Sequence, residues 1–325
     1  MANYASAPVL TDSTGQEIAE ALKDMAPELV TTEQAGLLAA NGNIVNGFIG
    51  PANSSYNGLM TPEQKEILDD PVNGLVFAET TRSQAASFRN GMPPRGKCIG
   101  TSLTNEQIEA IQGRTYAGMW LGDYWTINSV DWVIVDFEPY YNCGDTAFQK
   151  GHVAVVPRKV LVTSQAWYNE KDTSVGYVSC DARIVSIRGL TSGSADDVES
   201  AAGAQGTVIA AFGDEHVLTY RAIYPSAYTD GVATAWAWVD ARVELMSETE
   251  VYGCNIWGSS GYEMGIGHRQ LSLFRWNPTF ANIRASWWLR SVRSATHAAI
   301  VISTGIAYSD GAAGKYGVRP LSLIG

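Results

Sequence analysis

The chain has 325 residues, 46% hydrophobic and 17% charged, with a net charge of −11 and a pI of about 4.8. That is the composition of a folded chain, and its acidity, with no basic run, argues against nucleic acid as a partner. No apolar stretch is long enough to span a bilayer, and the first residues lack the basic start and apolar core of a secretion signal. Assembly in a cytoplasm without membrane insertion is therefore expected. The 32 glycines and 10 tryptophans suggest a loop-rich β protein.

Taken in chain order, "TGQEIAEALKDMAP" carries a Thr14–Glu17 capping box, then Ile18, Leu22 and Met25 on one face, then Pro27 as a stop. "IVNGFIGPANSSYNG" reads as a connector. In "NGLMTPEQKEILDD", Thr61 is an N-cap, Pro62 takes the first helical position, and Glu63 and Glu66 suit the positive helix end. A helix of about two turns does not stand alone in water. Leu59, Met60, Ile67 and Leu68 are therefore assigned to self-association. "TNEQIEAIQGR" repeats the device, with Thr104 and Gln107 as the box and Gly113 as a C′ stop.

From residue 115 the chain turns aromatic and strand-like. "YAGMWLGDYWTINSVDWVIVDFEPYY" alternates, and "HVAVVPRKVLVTS" reads as a buried strand broken by Pro157. "ADDVESAAGAQGTVIAAFG" is the best helix of this half, weakened by Gly203 and Gly206. "WAWVDARVELMSETEVYG" starts as a strand and ends in a tight segment. Short strands between Gly/Ser/Asn loops fill the remainder, and the last residues stay apolar through Val318, Leu321, Leu323 and Ile324.

Chemical motifs are sparse. Cys98, Cys143, Cys180 and Cys254 form no CxxC pair and are expected to be reduced and mostly buried. His152, His216, His268 and His297 show no metal-ligand spacing, so packing and hydrogen bonding are their expected roles and no metal or cofactor is assigned. Asp123, Asp131, Asp136 and Glu138 cluster in sequence, yet glycoside hydrolysis needs two carboxylates about 5–10 Å apart across a bond. Strand-surface aspartates and turn caps are the simpler reading, with Asp123 a turn residue after Gly122. There is no G-x-S-x-G, and "GSSGYEMGIG" lacks the Lys-Ser/Thr of a phosphate loop. No catalytic residues are assigned.

Trp120, Trp125, Trp132, Trp236, Trp238, Trp287 and Trp288 fall in strand-like runs and read as mostly core. Trp257, Tyr262, Tyr308 and Tyr316 lie in glycine-rich stretches, where stiff aromatics suit contact with sugars or proteins. His297, Asp310 and Lys315 join them as candidate ligand-binding residues. Arg290 and Arg293 read as internal fasteners.

Two resemblances give these segments a context. "NGLMTPEQKEILD" resembles the "GLMS-x-x-D-K-x-K-L-D" segment of bacteriophage tail and neck fibres, matching at Gly58, Leu59, Met60, Lys65, Leu68 and Asp69. The resemblance implies a trimeric shoulder ahead of a receptor-binding head. "GDYWTINSVDWVIVDFEPYYNCGD", "VELMSETEVYG", "QLSLF", "SWWLRSV" and "YGVRPLSLIG" follow in an order that resembles DUF6273-type and related C-type-lectin-like modules. More distantly, the order is similar to variable proteins of diversity-generating retroelements and to formylglycine-generating enzymes. The late cysteines of those enzymes are missing after Cys254, so their activity does not carry over.

The resemblance makes Gly317, Val318 and Arg319 the "G-[FV]-R" motif of a final strand. It implies that 317–324 pair near 115–127, leaving loops 257–267 and 291–316 as an exposed face. The expected fold is α+β: a virion-attachment segment at 1–50, a shoulder at 51–114 with short helices, and a C-type-lectin-like domain at 115–325. The expected function is that of a virion fibre or appendage protein, not an enzyme. It would assemble as a homotrimer, contact other virion proteins through its N-terminal region, and bind a bacterial surface glycan or protein. A capsid decoration protein, a virion-associated wall hydrolase and a bacterial surface adhesin are the alternatives.

Overall fold

The computed structural model describes residues 44–45, 48–49, 82–192, 202–258 and 269–325. The chain divides into two compact units, Met1–Thr80 and Thr81–Gly325. In the first, β1 (Ile44–Val45) pairs antiparallel with β2 (Phe48–Ile49). The Thr14–Glu17 box, the Thr61 helix and the self-association residues Leu59, Met60, Ile67 and Leu68 lie outside the described residues, as do Tyr262 and His268.

The second unit is mixed α+β and rich in strands. One sheet runs in the order β10 (Val243–Leu245), β15 (Pro320–Ile324), β6 (Val153–Pro157), β5 (Val130–Phe137), β4 (Tyr124–Ile127), β3 (Cys98–Gly100). The other runs β13 (Ala307–Gly311), β12 (His297–Val301), β11 (Trp287–Ser294), β14 (Tyr316–Val318), β7 (Val162–Gln165). A separate hairpin joins β8 (Tyr220–Thr229) to β9 (Val232–Ala241). Helix α1 (Arg82–Gly91) packs on β5, where Asn90 bonds the backbone of Phe137 through both ends of its amide, at 2.8 and 2.9 Å.

Local chemistry explains several boundaries. Helix α2 (Asn105–Gln112) has the capping box read from Thr104 and Gln107. The Gln107 Oε1 also accepts the Trp125 indole N–H at 2.9 Å, so one side chain ends a helix and anchors a core ring. The helix stops at Gly113, but Gly113 keeps a helical φ of −72° and Arg114 takes the left-handed one, 60°. The amides of Arg114 and Thr115 then bond the Ile111 and Ala110 carbonyls, a Schellman closure with arginine where glycine is usual. Asn128 and Ser129, at φ 50° and 65°, turn β4 into β5, and Asp230 and Gly231 turn β8 into β9, as two-residue hairpins require.

The strand broken by Pro157 is present: β6 is buried throughout, and the chain resumes as β7 in the other sheet. Helix α3 (Gly203–Phe212) starts at the weakening glycine and sets Phe212 edge-on to Trp125 and Trp132. The tight segment after β10 is α4 (Glu248–Tyr252), capped by Ser247 and Glu250; α5 (Ser272–Trp276) follows.

Several expectations are corrected. The terminal strand does not pair with 115–127. β15 lies between β6 and β10, with Leu323 opposite Ala154 and Glu244 opposite Leu321, and β14 pairs with β7. β15 is buried at every position, and both of its neighbours, β6 and β10, are buried throughout as well. Residues 291–316 are not a loop but the β11–β12–β13 meander. Residues 81–114 belong to the compact C-terminal unit, because β3 pairs with β4 and α1 packs on β5.

Burial brings further corrections. Trp236 and Trp238 sit on the outside of the β8–β9 hairpin, with Trp238 40% exposed. Of the four free cysteines only Cys180 is buried, its thiol pushed up to about 12 by burial; Cys98 and Cys254 are exposed. Asp123 and Asp136 are fully buried rather than surface caps. Asp123 accepts the Arg95 guanidinium and the amides of Lys97 and Trp120, each amide at 2.9 Å.

Candidate recognition face

The meander sets the geometry. Its register pairs His297 with Gly311, Ala299 with Ser309 and Ile300 with Tyr308. Alternation therefore puts Tyr308 and Asp310 on one face of the sheet, and His297 and Ser309 on the other. β13 is the edge strand, and its Tyr308 is 51% exposed.

Trp257 lies against that edge. Its indole N–H donates to the Ala307 carbonyl at 3.0 Å, and its ring meets Tyr308 edge-on, with centroids 6.1 Å apart. The exposed guanidinium of Arg293 lies 4.6 Å from the Trp257 ring and donates to Ser309 Oγ at 2.8 Å. Ile306 and Ile256, 62% and 49% exposed, flank them in sequence.

Behind this surface, the fully buried Glu248 carboxylate accepts the backbone amides of Ile256, Trp257 and Gly258, at 3.0, 3.0 and 2.7 Å. Three converging N–H groups form a small anion nest, and Glu248 fills it from within the chain. Tyr252 adds a bond to the Gly305 carbonyl at 3.0 Å. Residues 256–258 and the turn before β13 are thus tied to α4.

A second cluster adjoins. Tyr316 donates to Asp310 and packs edge-on to Trp288, with centroids 5.0 Å apart. The bond to Asp310 is the main cause that pushes the Tyr316 hydroxyl up to about 12, with partial burial adding to it. Lys315 reaches Asn169 at 3.4 Å. The structure therefore brings together Trp257, Tyr308, Asp310 and Tyr316, with Lys315 beside Tyr316. His297 stands apart on the opposite face, bonding Thr296 Oγ1 at 2.9 Å.

The sequence reading missed Arg293 and Glu248. Arg290 is the internal fastener expected: it pairs with Glu250 at 2.6 Å and donates to the Leu245 carbonyl at 2.8 Å. Arg293 is not, because it is exposed. β11 is buried from Trp287 to Val292 and opens to solvent only at Arg293, with bulges on both sides of Val292, so alternation along the strand offered no signal for the difference. Glu248 had a weak one, the Ser247–Glu250 capping box in "SETE".

The Gly317–Val318–Arg319 motif has a structural basis. The chain passes here from β14 in one sheet to β15 in the other. Arg319 is fully buried, donates to the Pro157 carbonyl at 2.9 Å and to that of Phe280 at 3.2 Å, and lies 4.5 Å from the Phe280 ring. Pro157 marks the other crossing, β6 to β7, so one arginine ties both. Burial lowers its guanidinium to about 9. A Cβ on Gly317 would lie within the Val160 side chain and 3.1 Å from the Ser286 carbonyl, which leaves room for glycine alone.

The sequence-adjacent carboxylates are each engaged. Asp136 meets Arg269 at 2.6 Å and Ser272 N at 2.8 Å, Asp131 meets Arg158 at 3.0 Å, and Glu138 takes Arg114 and the Tyr116 hydroxyl. Burial raises the Asp136 carboxyl above its usual range, opposed by Arg269. Two clefts, of about 310 and 250 Å³, each hold one carboxylate, Glu215 and Asp131. Among the described residues no group of three or more His, Cys, Asp or Glu is placed to hold a metal ion, and no helix is long and apolar enough to cross a membrane.

Residues 215–324 match the model of DUF6273, a domain of unknown function. The match runs from the turn before β8 through β15 and contains Glu248, Trp257, the meander and Arg319. It leaves out β6 and β7, the partners of β15 and β14, so the compact unit is larger than the matched segment. No curated protein and no solved structure matches the chain.

Proposed function

We propose that the C-terminal unit is a C-type-lectin-like recognition domain of a bacteriophage fibre or appendage, and that it binds a bacterial surface glycan or protein. The observation that carries this reading is the cluster of half-buried Trp257 with exposed Arg293 and Tyr308, its Trp257 backbone held by Glu248. Tryptophan, tyrosine and arginine are the side chains that dominate recognition hot spots. A pre-ordered backbone beneath them lowers the entropy lost on binding. The virion setting rests on the likeness of Asn57–Asp69 to fibre shoulders, which also supports a homotrimer assembled through Leu59, Met60, Ile67 and Leu68, with the N-terminal region joining other virion proteins. Several weak sites on one particle give useful avidity.

The test is binding of the labelled full chain to a panel of bacteria. Selective binding that falls about tenfold or more in Tyr308→Ala and in Arg293→Ala, with unchanged unfolding midpoints, is expected. Equal binding by the variants moves the site elsewhere. No selective binding by the folded chain overturns the receptor reading in favour of a decoration role on the capsid.

A further inference from the structure

The β8–β9 hairpin ends in an open edge. From Trp236 to Ala241, β9 pairs in regular register with β8, and the compensating irregularities near Ser226 and Thr234 lie between Trp236 and the turn. Segment 174–178 covers the far side of β8, through Val178 N to the Pro225 carbonyl and Tyr228 N to the Ser174 carbonyl. On β9, Arg188 donates to the Asp240 carbonyl at 3.2 Å. Between Val232 and Val239, no backbone among the described residues other than β8 bonds the strand.

The composition of this edge is unusual. Val232–Val239 reads VATAWAWV, with no charge, proline or glycine, and none of residues 232–238 is buried. Exposed edge strands normally carry a lysine or a proline that blocks pairing. The outer face pairs Ile223 with Trp238 and Pro225 with Trp236, an apolar surface without charge in a chain of net −11. Asp240, at its end, is matched by Arg221 at 3.1 Å.

We propose that β9 pairs antiparallel with β9 of a second copy of this chain, joining two hairpins into a four-stranded sheet. The strand is self-complementary about Ala237. In that register Trp236 faces the partner's Trp238 and Trp238 faces the partner's Trp236, so four indoles cover one face. Ala235 faces the partner's Val239, and Asp240 faces the partner's Thr234, so no like charges are opposed. The edge from Val232 to Val239 offers neither an acidic nor a basic partner a charge to pair with, whereas a second copy of the same strand meets it side chain for side chain with no like charges opposed. The contact is two-fold and isologous. It therefore links copies beyond any three-fold shoulder, and it does not depend on the receptor reading.

The experiment uses the full chain in light scattering coupled to gel filtration. Trp238→Glu, at an exposed position, is expected to halve the mass of the assembly, whether its unit is one chain or three. An independent variant, Ala237→Cys, is expected to give an interchain disulfide dimer on a non-reducing gel. Ala233→Cys, which faces the partner's Ala241 in this register, is expected to add none beyond the parent chain. An unchanged mass in Trp238→Glu, or equal cross-linking at 233 and 237, overturns the proposal; a monomeric parent points to the chain's own N-terminal region over the edge instead.

Discussion

The carboxylate of Glu248 and the backbone amide of Trp257 meet at 3.0 Å, inside a pocket where the amides of Ile256 and Gly258 point at the same acid. A buried charge on α4 thus sets the position of an aromatic on the surface. In Glu248→Gln the new amide N–H₂ faces donors instead of accepting from them. Leaving such groups unpaired costs about 1–3 kcal/mol. A lower urea midpoint and faster amide exchange at 256–258 are the expected results; an unchanged exchange pattern would remove Glu248 as the anchor.

Gly317 is constrained by space. Gly317→Ala is expected to destabilise by about 1–3 kcal/mol, the usual cost of overpacking. The crowding comes from Val160, so Val160→Ala in the same chain is expected to recover part of the loss. A double variant no more stable than Gly317→Ala alone would show that Val160 is not the obstacle.

Two aspartates on the same strand should respond in opposite degree. Asp136 is buried and accepts from Arg269, Ser272 and Asn90, whereas Asp131 and its partner Arg158 remain partly exposed. Asp136→Asn is expected to cost about 3 kcal/mol or more, and Asp131→Asn less than about 1 kcal/mol. Denaturant unfolding of both variants decides the matter, and equal losses would contradict the burial argument.

Acid sensitivity follows from His152. Burial lowers its imidazole from 6.5 to about 4 in the folded chain, while Nδ1 bonds the Lys150 carbonyl. Between those values the unfolded chain takes up a proton that the folded chain refuses. This group therefore leaves stability unchanged above about pH 7 and removes up to about 3 kcal/mol as the pH falls towards 4. His152→Gln should flatten that part of the profile when unfolding is compared at pH 7 and pH 4.5. A slope identical to that of the parent would assign the acid loss to other groups.

Short-range features were legible in the sequence because their partners lie three or four residues away. The Thr104–Gln107 capping box, the break at Pro157 and the alternation of 115–140 are of this kind. So was the α+β class, and so was the setting of Trp257 and Tyr308 apart from the core tryptophans, since both fall in glycine-rich stretches. The tertiary structure alone decided which strands flank β15, because any buried apolar strand satisfies the same pattern and only packing between sheets selects β6 and β10. It also decided the fate of the charges. Asp123 and Asp136 turn inward because Arg95 and Arg269, distant in sequence, arrive to neutralise them, whereas Arg293 is exposed and bonds the Ser309 hydroxyl. Pairing of buried charge is a long-range property, so no local window of residues contains it.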